Sequence, residues 1–186
     1  MISHEHKFIF IHIPRTGGSA IEQQLKRNSI GFVDKYTKHK TLFCIEKQFD
    51  VADYFKFSFI RNPWDIMVSK YFAPIYKKIN YLSGKPLDYF LKNYTGPAGE
   101  ETVDLFYEYF DPKKMDFIGR YENRDVDLDY ISSKIGFNIS KDHSAKEMQK
   151  KQSDKHYTEY YDDETRSIVA EKYAKDIEYF GYEFGE

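Results

Sequence analysis

Two apolar segments of this chain each end abruptly at an arginine, and each is followed by residues that start a helix. The first segment, residues 8–19, reads FIFIHIPRTGGS, and the second, residues 57–69, reads FSFIRNPWDIMVS. Each is predicted to form a buried strand, a tight turn and the beginning of a helix. Strands that alternate with helices favour an α/β fold with a mainly parallel sheet. Open sheets of that kind bind ligands at the carboxyl ends of their strands, which is where both arginines stand.

The first junction begins as a predicted strand over residues 7–13, which Pro14 ends. Two glycines then allow a tight turn whose backbone amides point into one concavity, and a helix capped by Ser19 follows as far as about Arg27. The helix N-terminus adds partial positive charge, and Arg15 adds a fixed charge with a fork of donors. The pattern predicts a site for a phosphate-type anion. The alternative is an ordinary strand–turn–helix with an exposed arginine.

The second junction begins as a predicted strand over residues 54–60 and continues directly into Arg61. Asn62 is expected to cap the next helix, with Pro63 at the first helical position, where a missing amide hydrogen does no harm. That helix is predicted to stop before Pro74, because proline is excluded from a helix interior. Arg61 is predicted to bind a second anion at the strand end. The alternative is that it pairs with a surface carboxylate.

The rest of the chain is predicted to add one further strand and several helices. Residues 115–119 have the character of a short buried strand, and Gly136 is expected to close a helix over residues 124–135. A helix that starts at Asp162 or Asp163 is predicted to bury a stripe of four residues, Ile168, Val169, Tyr173 and Ile177. The remaining predictions are a helix over residues 40–49, short helices within 80–114, and a loop over 140–156.

Composition limits the class of protein. At 186 residues the chain is predicted to be a single domain over residues 1–186, long enough to bury a substantial core. A formal net charge of -2 argues against a general nucleic-acid binder, because no excess of basic charge is present for a phosphate backbone. The single cysteine, Cys44, excludes an intrachain disulfide and favours a reducing compartment. Neither a signal-peptide core nor a membrane-spanning apolar run is found, so a cytoplasmic location is expected.

Four residues near the amino end raise the question of a metal site: His4, Glu5, His6 and His12. No other cluster of ligand-type residues has supporting spacing, and no metal is predicted. His4 and His6 are expected in a frayed terminus. His12 shares a strand face with two phenylalanines and is expected to be a core residue beside the glycine turn.

Together, the two junctions resemble sulfotransferases that use 3′-phosphoadenosine 5′-phosphosulfate (PAPS), especially the carbohydrate-type families. In those enzymes a loop of the form IPKTGG(T/S) holds the 5′-phosphosulfate, and an RNP segment with a serine eight residues past its arginine holds the 3′-phosphate. Residues 14–19 correspond to the first motif, with arginine where the motif has lysine, and Arg61 with Ser69 corresponds to the second. Residues 117–123, FIGRYEN, and the tail over 155–182 resemble the third block and the ending of the same family.

The resemblance implies a three-layer α/β fold, with a mainly parallel central sheet flanked by helices, of the P-loop-NTPase-like sulfotransferase type. It implies transfer of a sulfonate group from PAPS to a hydroxyl, most simply on a carbohydrate or glycolipid, with 3′,5′-ADP as product and no metal. The predicted nucleotide-binding residues are Pro14, Arg15, Thr16, Gly17, Gly18, Ser19, Ala20, Arg61, Ser69, Tyr121, Lys155, His156 and Tyr157, of which the resemblance itself implies residues 14–19, Arg61 and Ser69. Lys155, His156 and Tyr157 are expected to close over the nucleotide, and a solvated basic run is the alternative for them.

Arg15 and His39 are the implied catalytic residues. The family usually has lysine at Arg15, where it stabilises the leaving oxygen, and often has arginine at Ile66. Arginine supplies charge but does not readily donate a proton. His39 matches a histidine that often lies between the two phosphate motifs, and a solvated loop histidine is its alternative. Four other residues are kept as candidate bases: His143, His156, Glu46 and Glu122.

Two other functions remain open at the level of sequence. A nucleotide kinase-like phosphotransferase is disfavoured because the Walker pattern, two glycines five apart followed by lysine and serine or threonine, is absent. A protein that binds 3′,5′-ADP or PAPS without catalysis is compatible with arginine at residue 15, where the family usually has lysine. Acceptor specificity is expected to come from the loops over residues 76–112 and 140–156, whose composition does not encode an acceptor.

Overall fold

The computed structural model describes residues 1–28, 39–73, 82–94, 105–139 and 155–186. The chain divides into two compact units, and each is described by itself below. The first, here called the sheet unit, comprises Met1–Ile60 and Phe106–Met148. The second, here called the helical unit, comprises Arg61–Leu105 and Gln149–Glu186. The single-domain organisation stays a prediction.

The sheet unit contains one sheet whose strands, within the described residues, are β1 (Ile2–Ser3), β2 (Phe8–Ile11), β3 (Phe55–Ile60) and β4 (Phe117–Arg120). The strands lie in chain order, with β1 antiparallel to β2 and the other two pairs parallel. Phe10 pairs with Phe57, which in turn pairs with Phe117. The predicted α/β class with a mainly parallel sheet flanked by helices is confirmed. The sequence analysis did not predict β1.

The described helices run along the chain as α1 (Gly18–Asn28), α2 (Leu42–Glu46), α3 (Pro63–Phe72), α4 (Leu87–Asn93), α5 (Phe106–Tyr109), α6 (Arg124–Ile135), α7 (Asp163–Lys172) and α8 (Ala174–Phe180). Short 3-10 helices cover Pro112–Lys114, Tyr121–Asn123 and Tyr157–Tyr160. Among the described residues, no helix is long and apolar enough to cross a membrane.

The core of the sheet unit lies on the phenylalanine face of the sheet. Alternate residues of a strand point to the same face, so Phe8 and Phe10 of β2 lie beside Phe57 and Phe59 of β3. The apolar sides of α1 and α6 cover this face with Ile21, Leu25, Leu128, Ile131 and Ile135. These side chains are buried, which fixes α1 against the end of β2 that leads into the glycine turn.

The core of the helical unit forms where α3 packs against α4 and α7. Trp64 and Met67 of α3 lie in one apolar cluster with Phe90 of α4 and Val169 of α7. The Trp64 indole donates a hydrogen bond to the Arg166 carbonyl at 3.0 Å, which ties α3 to α7. Burial of this aromatic cluster holds the first turn of α3 in a fixed position.

The predicted helix ends are largely confirmed. The Asn62 side chain accepts a hydrogen bond from the Trp64 amide at 3.1 Å, and Pro63 is the first residue of α3. Phe72 ends that helix before Pro74. Gly136 ends α6 with a φ of 84°, in the left-handed region that favours glycine. Each of these signals acts within a few residues, so the local sequence was sufficient to place it.

Other boundaries differ from prediction. Helix α1 begins at Gly18, so Ser19 lies inside the first turn and the prediction that it is the N-cap was wrong. The helix predicted over residues 40–49 is the shorter α2, which Thr41 caps by accepting a hydrogen bond from the Cys44 amide at 3.2 Å. The predicted C-terminal helix is divided at Tyr173 into α7 and α8. Residues 140–154 of the predicted loop lie outside the described residues.

Candidate active site

The turn between β2 and α1, here called the glycine loop, comprises residues 14–18. Arg15 and Gly17 have positive φ angles of 71° and 79°, an uncommon conformation for arginine. Positive φ angles at alternate residues turn successive backbone amides toward one side of the chain. The amides then form a concavity suited to an anion. The Thr16 side chain is buried and its hydroxyl donates to the Ile13 carbonyl at 2.8 Å. That hydroxyl stabilises the turn, so Thr16 would bind an anion through its backbone amide.

Packing within the sheet unit excludes a side chain at Gly18 and restricts one at Gly17. A Cβ atom at Gly18 would lie 2.2 Å from Cδ2 of His12, which leaves no room for a side chain. A Cβ atom at Gly17 would lie 3.1 Å from the Tyr121 ring. The sequence analysis attributed the glycines to close approach of an anion, whereas the structure adds a second reason for both.

His12 lies directly under the glycine loop with an acidic neighbour. Its side chain is 2% exposed and Nδ1 lies 3.1 Å from Oε1 of Glu22 on α1, which is 5% exposed. The His12 ring also stacks on Phe10, with 5.6 Å between ring centroids and 13° between planes. His12 is therefore a core residue beside the loop, as predicted. Glu22 was not identified from sequence.

His39 lies beside the same loop. Its Nδ1 is 2.9 Å from the backbone oxygen of His12, and the two rings are 4.4 Å apart. A carbonyl oxygen only accepts, so this contact places the proton of a neutral His39 ring on Nδ1 and the lone pair on Nε2. The backbone of His39 has a φ of 58°, a strained value that surrounding contacts must hold. The geometry suits a general base, and the catalytic role itself stays a prediction.

Tyr121 and Arg124 lie beside Gly17. A Cβ atom added at Gly17 would lie 3.1 Å from the Tyr121 ring and 3.7 Å from Nη1 of Arg124. Arg124 is 3% exposed, and among the residues that the structure describes its Nε has no hydrogen-bond partner. Burial lowers the pKa of Arg124, against smaller opposing effects of Tyr121 and Asp125. Sequence reasoning missed Arg124. The sequence feature that could have identified Arg124 is its position as a cation in the first turn of a helix, where the helix dipole favours anions.

The alternative bases have the following surroundings where the structure describes them. Glu46 lies 2.8 Å from the Lys114 ammonium group in an ion pair. Glu122 is exposed in a 3-10 helix. The Nδ1 atom of His156 lies 2.8 Å from the Thr158 hydroxyl. His143 lies outside the described residues.

In the helical unit, Arg61 is buried and paired. Its Nε donates to Oδ2 of Asp65 at 2.7 Å, and its Nη2 lies 2.6 Å from the same oxygen. Arg61 comes just before the Asn62 cap of α3, and Asp65 and Ser69 lie four residues apart on one side of the helix itself. The carboxylate partner considered as the alternative for Arg61 therefore exists. Asp65 also holds the guanidinium in one orientation, and its role was missed.

The residues predicted from the tail to bind the nucleotide differ in their surroundings. Lys155 and His156 are exposed, whereas the Tyr157 ring belongs to the aromatic core of the helical unit. The Tyr157 hydroxyl accepts from the Gly185 amide at 2.6 Å and donates to the Glu186 carbonyl at 3.2 Å. Tyr157 thus anchors the end of the chain, and the nucleotide contacts of all three residues stay predictions.

The amino-terminal histidines have ordinary neighbours. Nδ1 of His4 lies 2.7 Å from the Tyr54 hydroxyl, and Nε2 of His6 lies 3.7 Å from the Glu5 carboxylate. Across the described part of the chain, no group of three or more histidine, cysteine or carboxylate side chains is arranged to hold a metal ion.

Comparison with known proteins gives one match. A family model described as "Sulfotransferase family" matches residues 1–183. No curated protein and no solved structure matches the chain.

Proposed function

The chain belongs to the sulfotransferase family, a family of transferases that move sulfonate groups, and we propose that PAPS is its donor and a hydroxyl on a carbohydrate or glycolipid its acceptor. The observation that carries this proposal is the strained glycine loop at the end of β2, with the His39 ring held beside it. An anion site and an oriented base in one compact unit are what transfer of an anionic group to a hydroxyl needs.

We propose that the glycine loop binds the 5′-phosphosulfate of the donor. The loop amides and the N-terminus of α1 would donate hydrogen bonds to its oxygens, and Arg15 would add a full positive charge. In the helical unit, Arg61 and Ser69 would hold the 3′-phosphate. The Asp65 contact supports this assignment, because a guanidinium held at Nε by a carboxylate keeps a fixed orientation for other ligands.

The chemical step follows from these roles. The acceptor oxygen forms a bond to sulfur while the bond between sulfur and the bridging phosphate oxygen breaks, and 3′,5′-ADP leaves. His39 would take the acceptor proton at Nε2, since Nδ1 faces the His12 carbonyl. Negative charge that develops on the departing phosphate would be stabilised by the loop amides and Arg15. Arg15 remains protonated throughout, so its contribution would be electrostatic.

The proposal is tested by turnover. The purified protein is incubated with PAPS and a panel of saccharide, glycolipid and phenolic acceptors, and both 3′,5′-ADP and the sulfonated product are followed by mass spectrometry. Sulfonation of a saccharide or glycolipid supports the full proposal. Sulfonation of phenols alone would retain the donor and reject the acceptor class. Tight binding of 3′,5′-ADP with no turnover on any acceptor would instead favour a nucleotide-binding protein without catalysis.

A further inference from the structure

We propose that the buried guanidinium of Arg124 is a ligand-binding group of the glycine loop and contacts the same anion that the loop amides hold. The inference rests on the proposed function to the extent that this anion is the 5′-phosphosulfate of the donor. Arg124 lies outside both motifs that the family resemblance matches to phosphates.

The first argument is that the Arg124 side chain is buried with an incomplete set of hydrogen-bond partners. Arg124 is 3% exposed, yet within the described residues no hydrogen bond reaches its Nε. Arginine has five donors and stays protonated, so a buried guanidinium is expected to have carboxylate or carbonyl partners. Burial of a charge without such partners destabilises the protein, and one ordinary reason to retain it is a ligand that completes the pairing.

The second argument is the direction of the side chain. Nη1 of Arg124 lies 3.7 Å from the position that a Cβ atom would take on Gly17, so the guanidinium would be in van der Waals contact with a side chain at that residue. The Tyr121 ring packs beside the same glycine. A side chain that branched from residue 17 would fill the space in front of Arg124. Glycine at this position therefore keeps Arg124 and the loop amides next to one another.

The third argument is the sum of local charges. Gly18 begins α1, which has 11 residues, and Arg124 begins α6, which has 12, so the positive ends of two helix dipoles occur at these residues. The Asn123 cap of α6 makes no side-chain hydrogen bond to the helix. Acidic residues are present nearby: Asp125 follows Arg124, and Asp127 accepts the Arg120 amide at 2.7 Å. Asp125 acts on the Arg124 charge through space without an ion pair between the two in the described residues, so an anion at the loop would be a further partner for the guanidinium.

Three variants test the proposal. Arg124→Met removes the charge but keeps the length and the apolar stem, and Arg124→Lys restores a charge without the fork of donors. Arg27→Met is the control, because Arg27 is exposed on α1 and lies nine residues beyond Gly18, about 14 Å along the helix. For each protein we would measure the melting temperature without ligand and the Kd for 3′,5′-ADP and for inorganic pyrophosphate.

If the inference is right, Arg124→Met has a melting temperature equal to or above that of the wild type, because a buried unpaired charge has been removed. Its Kd for both ligands rises about 10- to 100-fold, the value of one charge-assisted hydrogen bond. Arg124→Lys recovers part of that loss, and Arg27→Met changes the Kd by less than about threefold. A purely structural arginine would give the reverse, with a lower melting temperature and an unchanged Kd, and either of those two results would overturn the inference.

The two anions separate this inference from the proposed function. A wild-type protein that binds pyrophosphate through Arg124 but has no affinity for 3′,5′-ADP would refute the donor assignment and leave the Arg124 site standing. A wild-type protein that binds 3′,5′-ADP, with no change in Arg124→Met, would refute the Arg124 site and leave the donor assignment standing. Binding of neither ligand overturns both.

Discussion

The contact between Gly18 and His12 makes the Gly18→Ala variant a sharp test of how the glycine loop is built. An added Cβ atom would lie 2.2 Å from Cδ2 and 2.5 Å from Nε2 of His12, whereas ordinary contact begins near 3.4 Å. The ring must therefore move by roughly 1.2 Å. It has little room to do so, because it is buried between the Phe10 ring and Glu22.

The change in the free energy of unfolding of Gly18→Ala follows from two opposing effects. Overpacking of a buried site destabilises by about 1–3 kcal/mol. Gly18 is the first residue of α1 and its φ is not positive, so alanine is tolerated by the backbone and is favoured in a helix by up to about 1 kcal/mol. We expect the free energy of unfolding of Gly18→Ala to fall by about 1–2 kcal/mol, which for a chain of this length lowers the melting temperature by about 2–8 °C.

Turnover should fall as well, because the displaced His12 ring lies 4.4 Å from the His39 ring, between ring centroids. Gly136→Ala is the matched control. A Cβ atom there meets nothing within 4 Å, so that variant loses stability only through its φ of 84° and should retain turnover.

The assay is chemical denaturation together with turnover under saturating PAPS. In a double-mutant cycle, His12→Ala removes the obstructing ring, and the further change Gly18→Ala should then destabilise by less than about 0.5 kcal/mol. A Gly18→Ala protein as stable and active as the wild type would refute the argument, as would a cycle with no coupling between the two positions.

The remaining predictions concern the proposed donor site. His39→Ala should lower turnover about 10²–10⁴-fold with an unchanged Kd for 3′,5′-ADP, and the wild-type rate should fall in acid as the ring is protonated; near-normal turnover would exclude His39 as the base. Arg15→Lys should retain or raise turnover, since lysine is usual in the family, whereas Arg15→Ala should lower it; a folded but inactive Arg15→Lys protein would mean that the guanidinium fork is needed. Arg61→Ala should weaken 3′,5′-ADP binding and destabilise the protein by leaving Asp65 unpaired, and the added change Asp65→Asn should recover the melting temperature but not the affinity. Recovery of affinity in that double variant would show that Arg61 has no direct contact with the nucleotide.

Much of the fold follows from signals that act over a few residues. Alternating phenylalanines in residues 8–10 and 57–59 indicated strands, and the ends of α3 and α6 followed from Asn62 and Gly136. A capping side chain and a left-handed glycine both act within one helical turn, so no distant contact was needed to infer them. Ser19 failed as a cap because helical geometry already begins at the glycine before it.

The sequence by itself also determined the family, because the order and spacing of two junctions and a tail are readable without coordinates, and the family match agrees. Only the tertiary structure decided why Gly18 lacks a side chain, which ring nitrogen of His39 carries the proton, and where the charge of Arg124 lies. Each of these depends on residues far apart in the chain: His12 under Gly18, the His12 carbonyl against His39, and α6 brought to the glycine loop by packing on the sheet. Local propensity carries no information about such pairs, because long-range burial decides which segments meet.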